Sequence, residues 1–199
     1  MSNFLQQQPI ILASGSSIRA KLLSSLGLDF TVVPSHLDET AIKLNHANDP
    51  LSLGYVLAES KALEVSQLHP QSFIIAADQL CVIDQEILDK PLNHATARKH
   101  LRLLSGKTHQ QIACLCIAKN NQVIWSHHET ATLTMHELQE ETIEAYLQKE
   151  KPYHSCGAYQ FETLGKWLFK EVQGQDDTIL GLPLLPLITA LNNLNAVHI

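Results

Sequence analysis

Residues 10–23 read Ile10-Ile11-Leu12-Ala13-Ser14-Gly15-Ser16-Ser17-Ile18-Arg19-Ala20-Lys21-Leu22-Leu23. An apolar run, a tight hydroxyl-rich turn and a helical pattern follow one another within that span. A buried strand therefore leads directly into a helix. Ser16 or Ser17 can serve as the N-cap, because a serine hydroxyl accepts a bond from an otherwise unpaired amide of the first turn. Ile18, Leu22, Leu23 and Leu26 recur at helical spacing, and Gly27 can end the helix in the left-handed conformation. Free amides, the positive end of the helix dipole and Arg19 in the first turn suit a phosphate. The same features also describe an ordinary capped strand–helix joint, so this stretch sets the architecture and leaves the ligand open.

The remaining composition narrows the class. A chain of 199 residues can bury one sizeable core in one or two compact lobes. The formal charge of −6 argues against nucleic acid or an anionic membrane as partner, since both need a basic face. An acidic chain that binds a polyphosphate must also gather its few cations at one place. The polar start, Met1 to Gln8, lacks the basic-then-apolar pattern of a signal peptide. No apolar run approaches the roughly 20 residues needed to cross a bilayer. Cys81, Cys114, Cys116 and Cys156 form no CxxC pair and read as reduced, packed thiols. The expected location is the cytoplasm.

Strands and helices alternate along the chain. Phe30 to Pro34 reads as a short strand, Ser35 to Pro50 as a polar loop that carries Asp38-Glu39 and has room for a short helix, and Leu51 to Leu68 as a long helix containing Lys61. Phe73 to Asp78 reads as a buried strand that delivers a carboxylate at its C-terminal edge. Leu80 to Leu88 reads as a small hairpin around Asp84-Gln85, ending on Lys90-Pro91. Asn93 caps a helix through Leu104, and Gly106 stops it. A long antiparallel hairpin is expected around Asn120-Asn121, then a helix over Glu140 to Lys149, a strand over Trp167 to Val172 and a last helix over Pro183 to Leu194. The class is α/β with mixed strand directions.

Asp78 is the strongest candidate for chemistry, because open α/β sheets bind ligands beyond the carboxyl ends of their strands. A carboxylate there can deprotonate water or hold a divalent metal; it can equally cap the following turn. Asp38-Glu39 is either a solvated pair or a partner for a hard cation. Lys61 and Lys90 are ordinary surface residues by type, although Pro91 fixes the backbone beside Lys90. The eleven histidines contain no HExxH pattern, and Cys114-x-Cys116 supplies too few ligands for zinc. The chain also contains no GxxxxGK[ST], no GxGxxG after a strand and no GxSxG.

Several blocks, in order, resemble the Maf family of nucleoside triphosphate pyrophosphatases. Leu12 to Leu23 is similar to LASxSPxRxxLL, Asp38-Glu39 to the acidic pair, and Leu57-Ala58-Glu59-Ser60-Lys61-Ala62 to LAxxKA. Ala77-Asp78-Gln79, Leu88-Asp89-Lys90-Pro91 and Leu104-Ser105-Gly106 with His109 resemble the ADT/ADQ, GKP and LSGxxH blocks. Gly157-Ala158-Tyr159 and Ile179 to Leu184 resemble AGxY/F and VxGLPL. The resemblance implies one domain over residues 1–199, an elongated mixed β-sheet of the Maf/ITPase-like kind flanked by helices, and a central cleft between two lobes. It implies hydrolysis between the α and β phosphates of a nucleoside triphosphate, aided by Mg²⁺ or Mn²⁺. By matched position Asp78 and Glu39 are the catalytic and metal-holding carboxylates. Ser14, Ser16, Arg19, Lys61 and Lys90 cradle the triphosphate. A homodimer is the default expectation.

Within the family, Asp78-Gln79-Leu80-Cys81-Val82-Ile83-Asp84 is similar to the DQVCVxD form of the 7-methyl-GTP branch, and Glu162 falls where that branch has glutamate. Gln79 and Glu162 therefore join the substrate-binding set. A carboxylate suits guanine's N1–H and N2–H₂ donors or the charge of a methylated purine, whereas glutamine suits uracil or thymine. Ser17, Ile18 and Ala20 depart from a more basic family pattern. Two alternatives therefore stand beside the main reading: a dTTP/UTP pyrophosphatase, and a non-catalytic nucleotide-binding regulator of cell division.

Overall fold

The computed structural model describes residues 5–46 and 48–198. The elements are strands β1 (Ile10–Leu12), β2 (Phe30–Val32), β3 (Phe73–Ile83), β4 (Glu86–Leu88), β5 (Thr108–Lys119), β6 (Gln122–Met135) and β7 (Phe169–Gln173). The helices are α1 (Ser17–Ser24), α2 (Thr40–Asn45), α3 (Pro50–Leu68), α4 (His94–Leu104), α5 (Glu140–Glu150), α6 (Asp176–Ile179) and α7 (Leu184–Asn193). The strands form one mixed sheet in the order β2-β1-β3-β5-β6-β7, with β4 added on β3. β1 runs parallel to β2 and β3, whereas β3–β4 and β6–β7 are antiparallel. The expected mixed α/β class holds. Contacts divide the chain into two compact units: Met1–Asp78, Ala113–Glu129 and Gly181–Ile199, and Gln79–Ile112 with Thr130–Leu180.

In the first unit the period of two sorts the sheet's side chains onto two faces. Phe73, Ile75 and Ala77 of β3 join Leu115 and Ile117 of β5 in a core closed by Leu23 of α1 and Leu187, Ala190 and Leu191 of α7. Asp78 falls in the opposite register, towards α3, where Lys61 bonds it. α3 starts at an Asp49 cap, whose side chain accepts from Ser52 N, with Pro50 in the first turn. Its buried positions include Gly54, Ala58, Ala62 and Ser66, small residues four apart along one line. Lys61 donates to Asp78 of β3 at 2.7 Å and Ser126 Oγ of β6 donates to Glu59 at 2.8 Å, and these bonds tie the helix to the sheet.

In the second unit Cys81 and Ile83 of β3 pack with Ala97, Leu101 and Leu104 of α4, Ile143 and Leu147 of α5, and Ala131, Leu133 and Met135 of β6. A two-residue turn reverses the chain at Asp84-Gln85, where both central residues take positive φ (50° and 70°), as they do at Asn120-Asn121 of the first unit (51° and 59°). Tyr159 lies at the heart of the second unit. Its hydroxyl meets His109 Nε2 at 2.8 Å and accepts from Gln111 Nε2 at 2.6 Å. Gly157 must be glycine: its φ is 74°, and a Cβ there would lie 2.7 Å from Cys81 Sγ.

Two sequence expectations change. Asp78 does not end its strand, because the buried run Leu80 to Ile83 continues the same extended chain and pairs with β4. The strand expected to start at Trp167 starts at Phe169, since Leu164–Leu168 form a 3₁₀ turn that leaves Trp167 exposed while burying Leu168.

His109 makes the second unit's stability depend on pH. Burial lowers its pKa from 6.5 to about 4. The folded protein thus binds this proton less readily than the unfolded chain, and stability present above about pH 6.5 declines as pH falls towards 4. A shift of this size corresponds to about 3 kcal/mol. Urea unfolding of the intact protein across that range should show the decline, and His109→Gln should flatten the pH slope whatever its effect on absolute stability. An unchanged slope in the variant would contradict the assignment.

Candidate active site

The site in the first unit is built from the strand–turn–helix that opens the chain. β1 pairs with β3 only over Ile10–Leu12 and Phe73–Ile75, and the last rung beyond them is Ala13 N donating to Ile75 O at 2.8 Å. β1 then turns away into α1 while β3 runs on to Asp78. The turn is tied by its own hydroxyls. Ser14 Oγ accepts from Ser16 N at 3.2 Å, and the N-cap Ser16 Oγ accepts from Arg19 N at 3.4 Å. Arg19 donates through Nε to Gly181 O at 2.9 Å and through Nη1 to Ser14 Oγ at 3.4 Å. Ser14, Ser16 and Arg19 are thus brought together at one helix N-terminus, a geometry that favours an anion.

The charged centre lies beside it on β3. Lys61 Nζ of α3 is 2.7 Å from Asp78 Oδ1 and 2.7 Å from Glu39 Oε1. The side chains of Lys61 and Asp78 are 15 % and 13 % exposed, and that of Glu39 is 32 % exposed. Glu39 also pairs with Lys43, one turn along α2, at 3.2 Å. Burial pushes the Glu39 pKa up, but the hydrogen bonds and charges of Lys61 and Lys43 outweigh it and hold the carboxyl below its usual value. The loop that delivers Glu39 is pinned to α3 by Glu64, which accepts from Ser35 Oγ and, at 3.0 Å, from His36 N. Asp38, the other acid of the pair, is turned to its own backbone and accepts from Thr40 N at 3.0 Å.

Two carboxylates that converge on one cation form a hard-oxygen donor set. Among the described residues no group of three or more His, Cys, Asp or Glu side chains could hold a metal ion. A divalent ion held by Glu39 and Asp78 would therefore complete its shell with water and substrate oxygens. This is the usual manner of Mg²⁺, bound by one or two carboxylates plus phosphates. The residues present fit such an ion.

Gln79, Lys90 and Glu162 belong to the second unit. Gln79 donates through Nε2 to Ile179 O, and its own carbonyl accepts from Cys156 Sγ at 3.7 Å. Lys90 and Glu162 are exposed, in the segments after β4 and before the 3₁₀ turn. The sequence reading missed Lys43, Glu64 and the Gly181 carbonyl. Lys43 could have been found from its i,i+4 spacing to Glu39. Glu64 and Gly181 carry no local signal, because only the tertiary fold brings them to Ser35 and Arg19.

The chain resembles known proteins along almost all its length. The family described as "Maf-like protein" matches residues 9–194. A protein of Legionella pneumophila (strain Paris) named "Nucleoside triphosphate pyrophosphatase" is 67 % identical over 200 residues, covering 100 % of both chains. One of Mesorhizobium japonicum named "7-methyl-GTP pyrophosphatase" is 38 % identical over 195 residues, covering 96 % of this chain and 98 % of that one. The solved Staphylococcus aureus Ham1 protein is a distant likeness, at 12 % identity and a TM-score of 0.41 over 80 % of this chain and 90 % of that one. With a match over residues 9–194 and with the blocks at Ser14–Arg19, Lys61 and Asp78 gathered in one unit, the chain belongs to the Maf family.

Proposed function

We propose that this protein hydrolyses nucleoside triphosphates between the α and β phosphates, releasing a nucleoside monophosphate and pyrophosphate, with 7-methyl-GTP as the preferred substrate. The observation that carries this reading is the Glu39–Lys61–Asp78 centre beside the Ser14–Arg19 turn. Relatives bearing the name of that activity over their full length support it. Cleavage of a phosphoanhydride needs positioning and charge neutralisation more than covalent chemistry. Asp78 and Glu39 would hold a divalent cation, Mg²⁺ or Mn²⁺, which would supply charge neutralisation and acidify water.

The chain's own residues supply the rest. Asp78 accepts the proton of the attacking water or orients that water. Glu39 shares its charge load and fixes it in place. The hydroxyls of Ser14 and Ser16, the Arg19 guanidinium and the ammonium groups of Lys61 and Lys90 bind phosphate oxygens. Glu162, with Gln79, selects the base: its carboxylate accepts from guanine N1–H and N2–H₂ and favours the positive charge of a methylated purine. The 7-methyl-GTP name of the Mesorhizobium japonicum relative supports this choice.

A panel of nucleoside triphosphates with Mg²⁺ or Mn²⁺, read by pyrophosphate release, should give the highest kcat/KM on 7-methyl-GTP. Preference for dTTP or UTP would overturn the base assignment. Asp78→Asn should lower turnover by about 10²–10⁴-fold with an unchanged circular-dichroism spectrum. Tight nucleotide binding without pyrophosphate release in both proteins would identify a non-catalytic regulator instead. Glu162→Gln should lower kcat/KM on 7-methyl-GTP by about tenfold or more while leaving UTP unchanged or improved, since the lost bonds are to the base.

A further inference from the structure

In this structure Lys61 is engaged by carboxylates. Its ammonium sits between the two carboxylates proposed to hold the divalent ion, 2.7 Å from one oxygen of each. An ammonium is a compact point charge with three donors on a flexible four-carbon stem. With two donors spent on Glu39 Oε1 and Asp78 Oδ1, it occupies the point where those oxygens converge. A cation bound to the same two oxygens would lie about 2.0–2.1 Å from each, so the two charges exclude one another. They also repel one another at any nearby separation, because like charges a few ångströms apart in a partly buried site are only weakly screened.

We propose that Lys61 is a resident counter-ion that holds the divalent-cation position between Glu39 and Asp78, and that it leaves this position to bind the nucleotide's phosphates when the cation is taken up. The inference rests on the metal-assisted reading above and adds a coupling to it. With the ammonium in place, Glu39, Asp78 and Lys61 together carry one net negative charge, which opposes a triphosphate. Once the ammonium has moved, the two carboxylates are balanced by the divalent ion and Lys61 contributes its charge to the anion. Metal and nucleotide therefore strengthen each other's binding, since each favours the state in which Lys61 has left the carboxylates.

The fold permits the movement. Lys61 is anchored by its backbone in the middle of the long helix α3, next to the buried Ala62, so only the side chain need swing. Its other end is partly exposed, and the Ser14–Arg19 turn that would receive the phosphates leaves β1 just before the β3 segment that carries Asp78. Lys43 keeps Glu39 partly compensated when Lys61 leaves, through its own contact at 3.2 Å.

The test is Mn²⁺ binding to the intact protein without nucleotide, followed through the electron-paramagnetic-resonance signal of free Mn²⁺. Lys61→Met and Lys61→Gln should each bind Mn²⁺ about tenfold or more tightly than the unsubstituted protein, because the competing charge is gone. At saturating free Mn²⁺ the same variants should bind inorganic tripolyphosphate about tenfold or more weakly, because a phosphate partner is gone. A purely structural role for Lys61 would weaken both. Added Mn²⁺ should raise the melting temperature more for Lys61→Met than for the unsubstituted protein, which keeps the test valid if the variant is destabilised. Equal or weaker Mn²⁺ binding in both variants, or no Mn²⁺ binding by any of the proteins, overturns the proposal. If the opposite shifts appear but no triphosphate is cleaved, the exchange stands and the pyrophosphatase reading fails. If cleavage occurs without the gain in Mn²⁺ affinity, the reverse holds.

Discussion

The interaction on which the first unit depends is the bridge from Lys61 to Asp78 and Glu39. Both carboxylates lie 2.7 Å from one ammonium and the Asp78 side chain is nearly buried, so their like charges need a counter-charge between them. The ammonium supplies it, and three separate pieces of chain must be placed to allow it. α3 must present Lys61 to β3, where it donates to Asp78. β3 must run on past the end of β1. The loop before α2 must be held down, which Glu64 achieves through Ser35 and the His36 amide. Removing any one of these moves a charge away from its partner.

The opening turn shows a second economy. In a chain with 20 acidic and 14 basic side chains, an anion site cannot rest on a broadly positive surface. Here the positive character comes from a helix N-terminus, two serine hydroxyls and Arg19, whose fork is oriented by Gly181 O and Ser14 Oγ. Orientation substitutes for number. The turn has one arginine and not several, but its guanidinium enters any binding event already in place.

The second unit is held by a different device, a buried polar cluster instead of charge. His109 and Gln111 each bond the Tyr159 hydroxyl within an apolar core, and burial keeps the histidine neutral and the Tyr159 phenol well above its usual pKa. His109 Nδ1 and Gln111 Oε1 have no hydrogen-bond partner among the described residues. The close fit of Gly157 against Cys81 fixes the neighbouring Cys156–Ala158 segment. This explains why glycine, tyrosine and histidine blocks far apart in sequence act together.

Much of this was readable from residue order alone. Alternating and helical periodicities, the caps at Ser16 and Asn93 and the paired turn residues at 84–85 and 120–121 are local effects, and local energies decide them. The resemblance of ordered blocks also singled out Asp78, Glu39, Lys61 and Arg19 as types suited to phosphate chemistry. What sequence could not determine was which charges touch. Asp78 read as the end of a strand because its apolar run stops there, yet pairing with β4 carries the strand through to Ile83. Lys61 read as one surface lysine among several. Its place between Glu39 and Asp78, like the approach of Glu64 to Ser35 and of Gly181 to Arg19, depends on how close the long helix lies to the sheet and where each neighbouring strand departs. Those are properties of packing between segments distant in sequence, and only the tertiary structure decided them.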